Sequence, residues 1–455
     1  MKNRLTIIII AVCVFAALVF PGSVFAEPEP HAYGELIDVT QAPGHPEAPE
    51  VDAPSAILID AASGAVLYSK DSDEAYYPAS ITKIMTAMLV IENCSLDDSV
   101  TFSYRATHDL EEGSSGIART EGEIMSVRDC LYALLVASAN EVAQALAEHV
   151  GGSIEAFAEM MNKKASALGC TNTHFANPSG LNNPNHYTTC HDMALILREA
   201  MTLPDFVEIA STTEYLIPAT NKHSEPLKIF MKHDLLRGEG KYKYAVCGKT
   251  GYTSLAGFTL ITAAQKDNMR LICVTMHCSS AKERAKSSTE LFEFGFNNYT
   301  FYGINEIDPS LASGGNSEAF LSSNVLSLSV SGEAGVVLPT SLGLPALTKE
   351  MVWDDAASEN GRIGRVVYLC EGVPIGSAAL TVNTENTGDY DFLGKSSVDG
   401  DVDIESASDE KGSIKKALII AGIAVAVIVV FGIAINRFIN GSRRKRRNRK
   451  KRRKR

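Results

Sequence analysis

The sequence lacks most of the signatures by which a chain declares its class. It has no glycine period and no sustained heptads, and 45% of its 455 residues are hydrophobic, which excludes collagen, coiled coil and wholesale disorder. No Cys-x-x-Cys occurs, so a structural zinc site has no framework and no metal is expected. Gly-x-Ser-x-Gly, His-Glu-x-x-His and a phosphate-binding glycine loop are all missing. Positive charge is absent where nucleic acid would need it. All 54 Asp/Glu fall within residues 27–410 against 24 Lys/Arg there, so the net −12 is an average that no folded part feels.

The two ends supply what the body lacks. Residues 1–26 have Lys2 and Arg4, an apolar stretch from Leu5 to Phe20, and Val24-Phe25-Ala26 before Glu27. This pattern predicts a cleaved export signal. Ala417–Ile435 is 19 residues without a charge, long enough as a helix to span a ~30 Å hydrocarbon core. The dense basic run Arg443–Arg455 follows it and predicts a cytoplasmic tail at 436–455. The expectation is an extracytoplasmic body held at the cell membrane by one C-terminal transmembrane helix. Eight cysteines remain after residue 26, and their spacing leaves their pairing open.

Within the body, residues 27–51 read as an exposed lead-in rich in Pro, Glu and Ala. Ala56–Asp60 and Ala65–Ser69 flank Ala61-Ala62-Ser63-Gly64 as a hairpin. A helix follows Pro78, and another runs from about Val127 to Val150 with a break near Ser138–Asn140. Residues 153–169, 190–202 and 281–297 carry helical patterns, whereas Tyr242–Thr250, Phe258–Ala264 and Arg270–Met276 read as strands. After a Gly/Ser/Asn break at 313–317 the apolar runs shorten and alternate, so 318–384 reads as a small all-β domain. Residues 385–413 are an acidic, Ser-rich linker.

Chemistry is carried by an ordered trio: Ser80-Ile81-Thr82-Lys83, Ser138-Ala139-Asn140 and Lys249-Thr250-Gly251. Ser-x-x-Lys occurs five times in the chain and Ser-x-Asn three times, so neither means much alone. Lys-Thr-Gly occurs once, where ordinary composition gives about 0.1. Of the Ser-x-x-Lys copies, only Ser80 opens an apolar-faced helix, where Ser80 and Lys83 share one face at i and i+3. A serine needs a neighbour to take its proton. A lysine does so when desolvation or a nearby cation brings its pKa toward neutrality. Lys249 on a strand, beside a threonine hydroxyl, suits a substrate carboxylate, and Gly251 admits close backbone approach. The competing reading of Ser80 is a plain helix cap.

The stretch Tyr77-Pro78-Ala79-Ser80-Ile81-Thr82-Lys83-Ile84-Met85-Thr86 resembles that of the D-alanyl-D-alanine carboxypeptidases, the low-molecular-mass penicillin-binding proteins. So do Ser138-Ala139-Asn140, Phe175-Ala176-Asn177-Pro178-Ser179-Gly180-Leu181, His186-Tyr187-Thr188-Thr189 and Gly248-Lys249-Thr250-Gly251-Tyr252-Thr253. The resemblance covers about residues 52–300, with a weaker likeness over 318–384. It implies an α/β (α+β) transpeptidase domain like that of serine β-lactamases and penicillin-binding proteins, followed by the β-rich domain. It further implies that Ser80 forms the acyl-enzyme with Lys83 as base, that Ser138 relays a proton, and that Asn140 orients Lys83 and the substrate amide. Lys249 and Thr250 would bind the terminal carboxylate, and the N–H groups of Ser80 and Tyr252 would form the oxyanion hole. The implied substrates are peptidoglycan stem peptides ending in D-Ala-D-Ala, with β-lactams as covalent inhibitors and no cofactor. Two departures stand out: Glu141 where the family usually has Asp, and Lys232-His233-Asp234-Leu235-Leu236 in place of Asn-x-Asn-Leu-Leu. A serine β-lactamase or a membrane-bound penicillin-sensing receptor shares the trio. The first typically adds Glu-x-x-Leu-Asn between the second and third motifs, and none occurs here.

Overall fold

Ser55–Asp60 is buried at every position, as expected of a strand covered on both faces. In chain order the computed structural model has strands β1 (Ile37–Asp38), β2 (Ser55–Asp60) and β3 (Ala65–Lys70), then helix α1 (Lys83–Asn93). Strand β4 (Ser99–Thr101), α2 (Tyr104–His108), β5 (Ile124–Ser126), α3 (Val127–Leu135), α4 (Asn140–Gly151), α5 (Ile154–Ala167), α6 (Cys190–Ala200) and α7 (Pro204–Ser211) follow. Next come the ribbon β6 (Glu214–Ile217) and β7 (Leu227–Phe230), the long strands β8 (Ala245–Thr253), β9 (Gly257–Lys266) and β10 (Met269–Cys278), and α8 (Ala281–Asn298). The β-rich region contains β11 (Tyr299–Gly303), β12 (Ser327–Val330), β13 (Gly335–Pro339), β14 (Thr348–Trp353), β15 (Arg362–Cys370) and β16 (Val373–Asn383). The structure describes residues 36–42, 44–111, 113–312, 327–330, 334–353 and 362–383, all in one compact unit.

Six strands form the main sheet in the order β1-β3-β2-β10-β9-β8. Their side chains alternate between two cores, as the two-residue period of a strand requires. Ile57 and Ile59 of β2, Ile261 and Ala263 of β9, and Ile272 and Val274 of β10 enter the core shared with α1, α3, α4 and α6. Ala56, Leu58, Leu260, Leu271 and Cys273 enter the opposite core with Leu291 and Phe292 of α8. The helices are stopped and started locally. Ser126, Ser153, Thr189 and Ser280 each accept a backbone N–H of the first turn, and Gly152 closes α4 in the left-handed region. The expected break in the Val127–Val150 helix falls between α3 and α4, around Ser138.

Two features differ from the sequence reading. Residues 36–51 are not wholly exposed: β1 pairs in parallel with β3, and Val39 and Val51 are buried, because the edge of β3 offers unpaired backbone groups. The β-rich region does not stand apart either. Its β11 pairs with β13, and Val336 and Val337 join the same core as Leu58 and Phe292. Its four-stranded sheet has the order β12-β16-β15-β14. Among the described residues no helix is long and apolar enough to cross a membrane, and the expected span lies beyond them. Residues 417–435 lie outside the described residues, as do the export signal, the 385–413 linker and the basic tail.

Candidate active site

The first motif sits where a tight turn meets a helix. Ala79–Thr82 forms a 3-10 turn and α1 begins at Lys83, so Ser80 precedes the α-helix and caps nothing with its side chain. Ala79 is held at φ +52°, a left-handed conformation a non-glycine residue adopts only when its surroundings impose it. The imposing contacts are visible: Thr259 Oγ1 donates to the Pro78 carbonyl at 2.9 Å, and Gly180 packs directly on the Ala79 carbonyl. Ile81, Ile84 and Met85 bury the other side of the turn in the helical core.

Lys83 is fully buried and its Nζ donates to three oxygens: Ser80 Oγ at 3.1 Å, Asn140 Oδ1 at 2.6 Å and the Ser179 carbonyl at 2.7 Å. Burial lowers its pKa to about 7, opposed by the Glu141 carboxylate and assisted by Lys232. A fraction of the lysine is therefore neutral near pH 7 and can accept the serine proton. Lys232 is the cation that assists, and Lys83 and Lys249 also repel each other.

Asn140 opens α4, and its backbone N–H donates to the Ser115 carbonyl at 2.9 Å. Ser138 lies two residues earlier in the left-handed region at φ +62° and is nearly buried; its hydroxyl makes no hydrogen bond among the described residues. Lys249, Thr250, Gly251 and Tyr252 lie on β8, the edge strand of the main sheet. Lys249 is buried, donates to the Thr250 carbonyl at 2.8 Å, and is pushed well below the usual lysine range by burial and then by Lys83, Lys232 and Arg284. A carboxylate placed there would restore its charge. A Cβ on Gly251 would come within 2.8 Å of Ser80 N, so the glycine lets the strand edge lie against the serine backbone. Tyr252 is 58% exposed at the rim.

Some of the site escaped the sequence reading. The Ser179 carbonyl was not assigned a task, although Asn-Pro-Ser-Gly marks a turn. Asn177 Oδ1 accepts Ser179 N and Gly180 N, and the Pro178 carbonyl accepts Thr86 Oγ1, which aims Ser179 at Lys83. His186 accepts Ala176 N at Nδ1 and so donates through Nε2 to Thr82 Oγ1; burial holds it neutral with a pKa of about 3. The unusual 232–236 string also has defined partners. Lys232 reaches Ser115 Oγ at 3.4 Å, and buried His233 bonds Leu235 N and Thr262 Oγ1. Asp234 pairs with Arg284, which donates to the carbonyls of Gly251 and Thr259. One group of possible metal donors, Cys94, Asp98 and His149, lies among the described residues, at the opposite end of α1 from Lys83.

The chain that carries this arrangement has known relatives. The family model described as D-alanyl-D-alanine carboxypeptidase matches residues 42–280. The chain is 34% identical to D-alanyl-D-alanine carboxypeptidase DacF of Bacillus subtilis over 321 residues, 69% of this chain and 75% of that protein. It is 30% identical to DacA of Haemophilus influenzae over 361 residues, 76% and 88% of the two chains. Among solved structures, penicillin binding protein 5 from Haemophilus influenzae aligns with a TM-score of 0.60 at 30% identity, covering 74% of this chain and 98% of its own. The Streptomyces K15 DD-transpeptidase aligns with a TM-score of 0.53 at 28% identity, covering 55% and 100%. The chain belongs to the D-alanyl-D-alanine carboxypeptidase family of serine peptidases.

Proposed function

We propose that this protein is a serine D-alanyl-D-alanine carboxypeptidase that removes the terminal D-alanine from peptidoglycan stem peptides through a Ser80 acyl-enzyme. The observation that carries the reading is the 3.1 Å contact between Lys83 Nζ and Ser80 Oγ, made by a buried lysine with a pKa of about 7. Neutral Lys83 takes the serine proton as Oγ attacks the carbonyl carbon of the penultimate D-alanine. The developing oxyanion is met by the N–H groups of Ser80 and Tyr252. The C–N bond then breaks, and Ser138 passes a proton to the leaving amine. Water, activated in turn by Lys83, hydrolyses the ester and restores the serine.

Asn140 and the Ser179 carbonyl limit where the Lys83 amine can point, which is positioning bought in advance of the reaction. Lys249 and Thr250 receive the terminal carboxylate, which restricts the enzyme to chain ends. A β-lactam carries the same amide and carboxylate and acylates the same serine. The body works outside the membrane, held by a helix over 417–435 with the basic tail inside; the uncharged stretch and the run Arg443–Arg455 support this placement.

The test is release of D-alanine from a D-Ala-D-Ala peptide, together with mass spectrometry of the penicillin adduct. Wild type is expected to release D-alanine and to carry the adduct on Ser80, and Ser80→Ala to do neither. An adduct without release would sink the carboxypeptidase reading in favour of a sensor. The same label reports location: it should sediment with membranes in the full chain and stay soluble in a chain ending at residue 410.

A further inference from the structure

Glu141 is the second residue of α4, next to Asn140, and is 2% exposed. Its Oε1 accepts the Ile117 N–H at 2.6 Å and, at a long 3.5 Å, that of Arg119. Its Oε2 has no hydrogen-bond partner among the described residues. That oxygen faces Gly116, where a Cβ would come within 2.7 Å of it. A buried carboxylate with one bare oxygen is costly. A glutamine would accept Ile117 N–H without burying a charge, although its NH2 would then be the unpartnered group. Two features of the surroundings favour the charge: the first turn of α4, whose N-cap Ala139 offers no side chain, and Lys83.

The segment that Glu141 holds leads back to the site. The Ser115 carbonyl accepts Asn140 N–H, and Ser115 Oγ accepts from Lys232. Residues 115–119 therefore run between the two charged groups that act on Lys83 in opposite directions. The groups facing Lys83 are Glu141 from α4, Lys232 from the loop after β7, Lys249 from β8, and neutral His186 from the segment before α6. Glu141 is the one acid among them.

We propose that Glu141 is a positioning residue that ties segment 115–119 to the start of α4 and supplies the counter-charge of Lys83. The inference rests on the Ser80–Lys83 reading above. Removing the negative charge disfavours protonated Lys83, so the lysine becomes neutral at lower pH. The extra methylene relative to aspartate gives the carboxylate the reach to Ile117.

The experiment measures Ser80 labelling by penicillin against pH, and amide exchange at 115–119, in wild type, Glu141→Gln and Glu141→Asp. Glu141→Gln keeps an acceptor for Ile117 but loses the charge. Its acid limb should move down by roughly one pH unit, so that labelling near pH 6, relative to its own plateau, rises several-fold. Glu141→Asp keeps the charge at shorter reach. Its limb should stay with wild type while exchange at 117 speeds at least tenfold. A folded Glu141→Gln whose profile overlays wild type overturns the counter-charge, and unchanged exchange in Glu141→Asp overturns the tether. Failure of wild type to take label sinks the enzyme reading instead, and the exchange arm still decides the tether.

Discussion

Gly180 has φ +85°, and its Cα rests against the carbonyl of Ala79, the residue before Ser80. Any side chain there meets two penalties at once: a left-handed backbone and overlap with an oxygen held by the 3-10 turn. Gly180→Ala is therefore expected to cost about 2–4 kcal/mol of stability and to slow Ser80 acylation further by displacing Ala79. Thermal unfolding and penicillin labelling, measured on the same sample, check this. A variant labelling at the wild-type rate would show that Ala79 is not what sets the serine. At this scale the sequence revealed side chains and hid backbone. Ser80, Lys83 and Asn140 were legible because their chemistry lies in their side chains. The Ser179 carbonyl was not, because any residue at that position carries one.

Strand β8 is both the edge of the sheet and one wall of the site, so something other than a neighbouring strand must fix its outer end. Arg284 of α8 does this: one nitrogen donates to the carbonyls of Gly251 and Thr259 at 2.8 and 3.0 Å, while Nε holds Asp234 at 2.8 Å. Arg284→Met leaves two carbonyls and a carboxylate without their donor, at a cost of roughly 2–3 kcal/mol. Because Gly251 lies between Lys249 and Tyr252, the loss should raise KM for the peptide and lower kcat together. Arg284→Lys, which keeps charge but loses the planar fork, should recover only part. Steady-state kinetics on both variants decide it, and wild-type constants in Arg284→Met would remove α8 from the support of the site. Long strands were readable as apolar runs bounded by turn residues, as β9 and β10 are. The α7 helix and the β6–β7 ribbon were missed because they are short and half polar. The start of β8 was placed three residues early, since Tyr242 and Tyr244 have strand-forming side chains but pack on Phe292 and Phe296 of α8.

Over the whole molecule, eight cysteines follow residue 26, and spacing could not say whether they pair. The structure leaves all eight free, seven of them buried and Cys94 half-buried at the end of α1. Burial also raises the thiol pKa, most firmly for Cys130 and Cys170, and Cys190 sits against Ser55 Oγ at 3.1 Å instead of another sulfur. These thiols act as small apolar side chains in the two cores, on which the main sheet and the β-rich region both depend. The native protein should therefore react with a thiol reagent at one site, Cys94, and more slowly than a free cysteine, because burial and Asp98 both hold that thiol above its usual range. Unfolding in guanidinium should expose all eight, and a reducing agent should leave the melting temperature unchanged. Mass spectrometry after alkylation, with and without denaturant, reads the number directly. A native chain with no reactive thiol, two fewer after denaturation, and a melting temperature lowered by reductant would instead mean that a disulfide holds the fold.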